Sequence, residues 1–315
     1  MISHELLKSI TIRKNPIAQK AFAKVLGFSY AFPSRTNIIV EGWENIPDTP
    51  CFLAMNHTDR FNYWPFQYML AKTRNQYTCA WVKAKYFANP FMRRFLLACN
   101  NIPVAPKGTL ITKHFMQKMG RKPTGTEYRS IRNYLQQGGT PADEVAAFFG
   151  QNPQEVMNRI ESEFADLSEE VVRLNKEALD VGHHILIFPQ GTRSIRLSKG
   201  HIGLAQMSQR LRSPIVPIGC SGSDLCHKGS NPWAKGGTIT YRIGAPIHID
   251  SPQIINHQVP ADFVPFSANA QRMYKDSFQS ITDIVMDEIN ELVEPPYQYS
   301  KNKESDGVQG VERFM

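Results

Sequence analysis

The chain has 315 residues, of which 42% are hydrophobic and 20% are charged, and its formal net charge at pH 7 is +8. This composition indicates a globular protein with one large domain or two small ones, and excludes a disordered chain or a collagen-like fibre. The five cysteines are odd in number and include no C-x-x-C pair, so neither a disulfide framework nor a zinc site is predicted. The positive charge favours anionic partners, namely phospholipid surfaces, nucleic acids or acidic carrier proteins.

The sequence lacks the features of a membrane-spanning or secreted protein. No stretch approaches the ~20 consecutive apolar residues that cross a bilayer, and the first residues do not form a signal peptide. We therefore expect a protein that stays in the cytoplasm.

The first predicted element is an amphipathic helix that starts at Asn15-Pro16, where the asparagine caps free amides and the proline occupies the first turn. Lys20 and Lys24 share one face of this helix. The opposite face is predicted to hold the apolar residues Ile17, Ala18, Ala21, Phe22, Val25 and Leu26. Such a helix either lies on a membrane surface or packs on the protein's own core.

Short β-rich runs alternate with helical and loop sequence along the rest of the chain, which predicts an α/β fold. The predicted strands are 37–40, 51–55, 77–82, 102–104, 184–188, 215–219 and 238–243, and a helix is predicted over 63–70. Residues 110–180 interrupt this alternation. Their main element is a long helix that begins at Asn152-Pro153 with a capping-box Glu155.

Three segments follow from this pattern. Residues 1–32 form an N-terminal amphipathic helical region that can contact a membrane, residues 33–294 form a single mixed-sheet α/β domain with a helical insertion at about 110–180, and residues 295–315 form a polar tail. The insertion is not a separate domain, because the strand pattern resumes directly after it.

Charge is unevenly distributed along the domain. Between Asp59 and Glu127 there are twelve basic residues and no acidic ones, whereas residues 143–180 hold ten acidic and three basic residues. Aromatic residues alternate with the cations near residues 81–95, as in surfaces that insert into lipid headgroups. We expect the acidic insertion to pack near the basic segment or to shield part of it.

Most familiar catalytic patterns are absent: G-x-S-x-G, H-E-x-x-H, the Walker loop and G-x-G-x-x-G do not occur. His183-His184 has no third metal ligand at a recognisable spacing, so a structural role is predicted. Two polar loops remain, 56–62 after the second predicted strand and 188–194 after the fifth. A histidine in the first can accept a proton near neutral pH, and an arginine in the second can bind phosphate oxygens.

These loops resemble the conserved blocks of the glycerolipid acyltransferases, whose best-known members acylate 1-acylglycerol-3-phosphate. Residues 56–62 resemble the catalytic block, residues 85–90 and 101–104 the second block, and residues 188–194 (Phe-Pro-Gln-Gly-Thr-Arg-Ser) the third block, F-P-E-G-T-R-S. Residues 214–218 and 243–247 resemble the fourth block and the closing G-x-P-I. The resemblance covers about residues 37–250 without the insertion.

The resemblance implies an O-acyltransferase that works without a metal or cofactor and takes acyl-CoA or acyl carrier protein as its co-substrate. His57 would be the general base on the hydroxyl of a lysophospholipid-type acceptor, and Arg193 would bind the acceptor phosphate. The other implied substrate-binding residues are Pro103, Lys107, Gln190, Gly191 and Thr192. The protein would act peripherally on the cytoplasmic face of an anionic membrane.

Two residues depart from the family pattern, because Asn62 and Gln190 stand where the family has Asp and Glu. Three interpretations are open. Asp59 replaces the missing carboxylate beside His57, the protein works with the two amides, or the amides are introduced changes. A carboxamide can hold the useful histidine tautomer, although the same change in serine proteases lowers turnover about 10⁴-fold.

An alternative function is therefore a catalytically impaired homologue that binds lipid or membrane. A nucleic-acid-binding protein is a third candidate, but no recognition motif supports it, and we expect no nucleic-acid partner.

Overall fold

A computed structural model of the chain describes residues 3–229 and 231–300, except for the side chains of residues 136 and 137. Seven strands form one sheet, and each of the seven predicted strands is present. Their bounds are Thr36–Glu41 (β1), Phe52–Met55 (β2), Thr78–Lys83 (β3), Ile102–Val104 (β4), His184–Ile187 (β5), Ile215–Ser221 (β6) and Gly237–Ile243 (β7).

The sheet is mixed, with the strand order β1-β7-β6-β2-β5-β3-β4. Five adjacent strands, β6, β2, β5, β3 and β4, run parallel to one another. Strand β7 pairs antiparallel with β6 and parallel with β1. The loops that follow the five parallel strands therefore meet at one edge of the sheet, where binding sites of open α/β sheets lie.

Helices cover both faces of the sheet. The α-helices are His4–Ser9 (α1), Ile17–Ala31 (α2), Tyr63–Arg74 (α3), Pro90–Ala98 (α4), Lys107–Met119 (α5), Gly125–Gln137 (α6), Ala146–Phe149 (α7), Pro153–Asp180 (α8), Gly203–Leu211 (α9), Ser223–Cys226 (α10) and Ala268–Leu292 (α11). All four residues of β2 are buried. Phe52 and Ala54 face the larger core cluster, whereas Leu53 and Met55 face the second one, as expected for a parallel strand covered on both sides.

Helix α2 forms near the predicted place, but Pro16 rather than Asn15 is its N-cap and no side chain caps it, since Asn15 Oδ1 accepts from Lys20 Nζ (2.9 Å). The helix also buries a different face. Leu26 packs against the domain with Tyr30, whereas Ile17 and Val25 are exposed on the same outer surface as Lys20. The predicted split into one apolar and one basic face is therefore wrong, because Trp64 and Tyr68 on α3 and Ile38 on β1 pack against another side of the helix. Phe28 and Phe32 extend the exposed apolar stripe at the end of the helix.

The insertion consists of α5 to α8, and its acidic residues pair with the basic segment as expected. Glu161 on α8 forms an ion pair with Lys107, and Glu163 pairs with both Lys113 and His114. Asn152 caps α8 by accepting a hydrogen bond from the backbone N–H of Glu155. The short helix α1 packs on α8 through its buried Leu7, so the start of the described chain contacts the insertion.

The tail predicted from residue 295 differs from the structure at its beginning. Tyr297 is buried, donates a hydrogen bond to Asp224 (2.8 Å) and accepts one from the backbone N–H of Gly222 (3.0 Å). Residues 301–315 lie outside the described residues. Within the described ranges, no helix has the length and apolarity that a bilayer crossing requires.

The five cysteines and the consecutive residues His183 and His184 contribute to the packing and hydrogen bonding of the fold. All five cysteines are free and buried. His183 bonds the backbone carbonyl of Arg13 (2.9 Å), and His184 Nδ1 accepts from the backbone N–H of Cys51 (3.2 Å). No group of residues that could hold a metal ion occurs in the described part of the chain.

Candidate active site

The two polar loops lie side by side at the edge of the sheet, after the neighbouring strands β2 and β5. The backbone N–H of Ser194 donates to the carbonyl oxygen of His57 (2.8 Å), and the backbone N–H of His57 donates to Gln190 Oε1 (3.2 Å). These two hydrogen bonds join the loops directly at the histidine.

Two further residues hold the first loop in place. The side chain of Asn56 pairs with the backbone of Cys220 on β6, accepting from its N–H (2.7 Å) and donating to its carbonyl (2.9 Å). Tyr241 on β7 donates its hydroxyl to the carbonyl oxygen of Asn62 (2.6 Å). The loop is therefore hydrogen-bonded to two strands, β6 and β7. The sequence shows Asn56 and Tyr241 only as a loop residue and a strand residue, and no spacing rule indicates their contacts.

The His57 imidazole is oriented by Asn62, which is fully buried. His57 Nδ1 lies 3.1 Å from Asn62 Oδ1, and Asn62 Nδ2 donates to the carbonyl oxygen of Asn56 (2.7 Å). Because a carbonyl cannot donate, this second bond assigns the Asn62 amide so that its oxygen faces the imidazole. His57 Nδ1 then carries the proton, and Nε2 keeps its lone pair.

The environment of His57 favours the neutral ring. The imidazole stacks on Phe188 with ring centroids 4.0 Å apart. Desolvation lowers the pKa of His57 to about 4, and the positive charges of Arg193 and Lys83 contribute in the same direction. Lys83 ends strand β3, and its influence on His57 is another feature that the sequence did not indicate.

The second loop presents several polar groups around its arginine. Gly191 adopts a φ of +64°, and an added Cβ would lie 2.8 Å from His201, so only glycine fits here. The hydroxyls of Thr192 and Ser194 are buried and have no hydrogen-bond partner among the described residues. Unpaired buried hydroxyls are costly, and together with Arg193 they can bind an anion.

Gln190 is fully buried and bonds on both sides. Its oxygen accepts from His57, and its Nε2 donates to the carbonyl oxygen of Arg196 (3.3 Å) and to Ser198 (3.4 Å). An ionised glutamate in place of Gln190 could not donate these two hydrogen bonds, because a carboxylate has no N–H group. Asn62 and Gln190, the two amides that depart from the family pattern, thus both donate hydrogen bonds from their side-chain N–H groups.

The other three candidate site residues are Asp59 in the loop after β2, Lys107 at the start of α5 and Pro103 on β4. Asp59 accepts from the backbone N–H of Phe61 (2.7 Å) and interacts with Ser223 and His227, so it does not replace the carboxylate beside the imidazole. Lys107 is held by Glu161. Pro103 lies on β4, and strands β5 and β3 separate that strand from β2.

Two comparisons with known proteins gave a match. Residues 37–131, which include the His57 loop, match the protein family described as Acyltransferase. No curated protein matches the chain. Among solved structures, the chain is similar to the 1-acyl-sn-glycerophosphate (LPA) acyltransferase PlsC from Thermotoga maritima, with 14% identity, 85% of this chain and 78% of that chain covered, and a TM-score of 0.42.

Proposed function

We propose that the protein transfers a fatty acyl group from a thioester donor, acyl-CoA or acyl carrier protein, to the hydroxyl of a lysophospholipid-type acceptor. One observation carries this proposal. Within a segment that matches the Acyltransferase family, a neutral histidine whose Nε2 carries the lone pair adjoins a loop whose arginine and unpaired hydroxyls suit a phosphate.

His57 is the general base in this reaction. Its Nε2 takes the proton of the acceptor hydroxyl while the hydroxyl oxygen attacks the thioester carbonyl. The tetrahedral intermediate then collapses, the C–S bond breaks, and the proton passes from His57 to the leaving sulfur. Asn62 is a positioning residue, since its oxygen holds Nδ1–H throughout.

Arg193 binds the phosphate of the acceptor, and Thr192 and the Gly191 backbone complete the phosphate site. The phosphate neutralises one of the two cations that disfavour a charged imidazole. Acceptor binding therefore raises the pKa of His57 and makes it a stronger base at the time when it is needed.

Incubation with labelled acyl-CoA, acylated carrier protein and a panel of lysolipids tests the proposal. We expect labelled phospholipid that depends on Arg193, with Arg193→Gln raising the KM for the acceptor more than it lowers kcat. Failure of every donor and acceptor pair to give product would refute the proposal and favour the impaired lipid-binding homologue.

The pH dependence should differ between the free protein and its acceptor complex. With a phosphodiester acceptor, kcat/KM should stay level down to pH 5 and fall below it, since neutral His57 is required and its pKa is about 4. The fall in kcat should begin at higher pH, because phosphate beside Arg193 raises that pKa. A fall in kcat/KM centred at or above the ordinary histidine pKa of about 6.5 would contradict the argument.

We also propose that the protein acts at an anionic membrane surface through the outer face of α2, defined as Ile17, Lys20, Lys24, Val25, Phe28 and Phe32. Ile17, Phe28 and Phe32 are 68%, 68% and 63% exposed, and exposed lysines lie among them. Apolar side chains that enter the acyl region, with cations at the headgroups, are typical of interfacial helices.

Phe28→Ser should weaken binding to phosphatidylglycerol vesicles by about tenfold or more, because burying a phenylalanine contributes about 1.5–3 kcal/mol. Vesicle co-sedimentation measures the change. Met273→Ser removes an apolar side chain of similar exposure (58%) on α11 and should have no effect. Equal losses in both variants, or none in either, would contradict the assignment of this face.

A further inference from the structure

An open cleft of ≈ 690 Å³ begins beside the active site and extends away from it. Arg193 lies at the start of this cleft together with Thr58 and Asp59. The remaining wall comes from the end of β6, the start of β7, and residues near Tyr297. A ligand whose phosphate binds Arg193 can thus continue into the cleft.

The charges along the cleft are mixed. Arg193 and Lys228 are its cations, whereas Asp59, Asp224 and Glu294 are its carboxylates. A polyanion such as the phosphates of coenzyme A would meet three acidic groups here. A headgroup with one phosphate and one cationic group suits this arrangement better.

The acidic residues do not contribute equally. Burial raises the pKa of Asp59 and lowers the pKa of its neighbour His227, and Asp59 is engaged by the backbone N–H of Phe61. Asp224 and Glu294 also line the cleft, and Glu294 Oε1 lies 3.9 Å from Arg242 Nη2. Asp224 is oriented by Tyr297, which donates to its Oδ1.

A second observation indicates that the cleft holds a ligand. His227 lines the cleft and is 1% exposed, and its Nε2 has no hydrogen-bond partner among the described residues. Its Nδ1 lies 3.5 Å from the Ser223 hydroxyl. A buried ring nitrogen without a partner is costly, and a polar ligand group would satisfy it.

We infer that the cleft binds the part of the acceptor beyond its phosphate, and that the preferred acceptor is a zwitterionic lysophospholipid with an ammonium group facing Asp224 and Glu294. This inference rests on the proposed function. It narrows the acceptor class from lysophospholipids in general to those whose phosphate carries an amine-bearing substituent.

Acyl transfer to acceptors with the same acyl chain tests the inference: lysophosphatidylethanolamine, lysophosphatidylglycerol and lysophosphatidic acid. We expect the first to have the highest kcat/KM. Asp224→Asn keeps the oxygen that accepts from Tyr297 but removes the charge, so it should lower the preference for lysophosphatidylethanolamine about tenfold, through KM rather than kcat. Asp166→Asn, an exposed acid on α8, should leave the preference unchanged.

A binding measurement separates the two proposals. Calorimetry with glycerophosphoethanolamine and glycerol 3-phosphate should show tighter binding of the former to wild type and loss of this difference in Asp224→Asn. Binding of this kind without any acyl transfer would refute the proposed function and retain the cleft assignment. Acyl transfer that favours lysophosphatidic acid or lysophosphatidylglycerol, with a preference that Asp224→Asn does not change, would refute the cleft assignment alone.

Discussion

His57→Gln should lower acyl transfer by about 10²–10⁴-fold, the range that a positioned general base contributes. The glutamine side chain cannot take a proton from the acceptor hydroxyl. The expected loss is in kcat, because the phosphate site around Arg193 is unchanged and the KM for the acceptor should shift little. Initial rates at saturating thioester and acceptor measure the effect.

The variant must be folded for this loss to be informative. His57 is partly exposed and makes one side-chain hydrogen bond, so the expected cost in unfolding free energy is about 1 kcal/mol. His248 is an exposed histidine after β7, and His248→Gln should retain full activity. If His57→Gln transfers acyl groups at the wild-type rate, His57 is not the general base.

The strands and the two polar loops were predictable because their signals are local. Runs of β-branched residues between turn-forming residues indicate strands, and parallel strands bring their following loops to one edge. His57 and residues 190–193 therefore adjoin as the family resemblance implies. Asn152 and Pro153 likewise indicated the start of α8, although the Glu155 side chain pairs with Arg159 rather than completing a capping box.

Other features depend on tertiary contacts that no local pattern encodes. The inward face of α2 is chosen by its neighbours on α3, so its hydrophobic residues alone predicted the wrong orientation. The resemblance gives Lys107 as a substrate-binding residue at the end of the second block, and no local pattern indicates its ion pair with Glu161, 54 positions later in the chain. The roles of Asn56 and Tyr241 depend on strands β6 and β7, which lie far away in the chain.

Asn62→Asp tests whether the Asn62 side chain impairs catalysis or supports it. If the protein were an impaired homologue, restoring the family's carboxylate would raise activity. The structure predicts the opposite, because Asn62 Nδ2 donates to the carbonyl of Asn56 at 2.7 Å. An aspartate oxygen in that place would face another oxygen in a site without solvent.

We therefore expect Asn62→Asp to lower unfolding free energy by about 1–3 kcal/mol and to give no gain in kcat. Chemical denaturation and acyl-transfer rates on the folded protein measure the two effects. A rise in kcat of tenfold or more would show that the carboxylate's stabilisation of charged His57 outweighs the lost bond, and would support the impaired homologue.

Asn175 provides a matched control for this substitution, because it is also fully buried and has the same bonding pattern. Its oxygen accepts from the Trp81 indole N–H (2.9 Å), and its Nδ2 donates to the Val171 carbonyl (2.7 Å). Asn175→Asp should therefore destabilise the fold by a similar amount and leave kcat of the folded protein unchanged. Since both variants bury a carboxylate against a carbonyl, any difference in kcat between them reports the effect of charge on His57, separately from the cost of burying an acid.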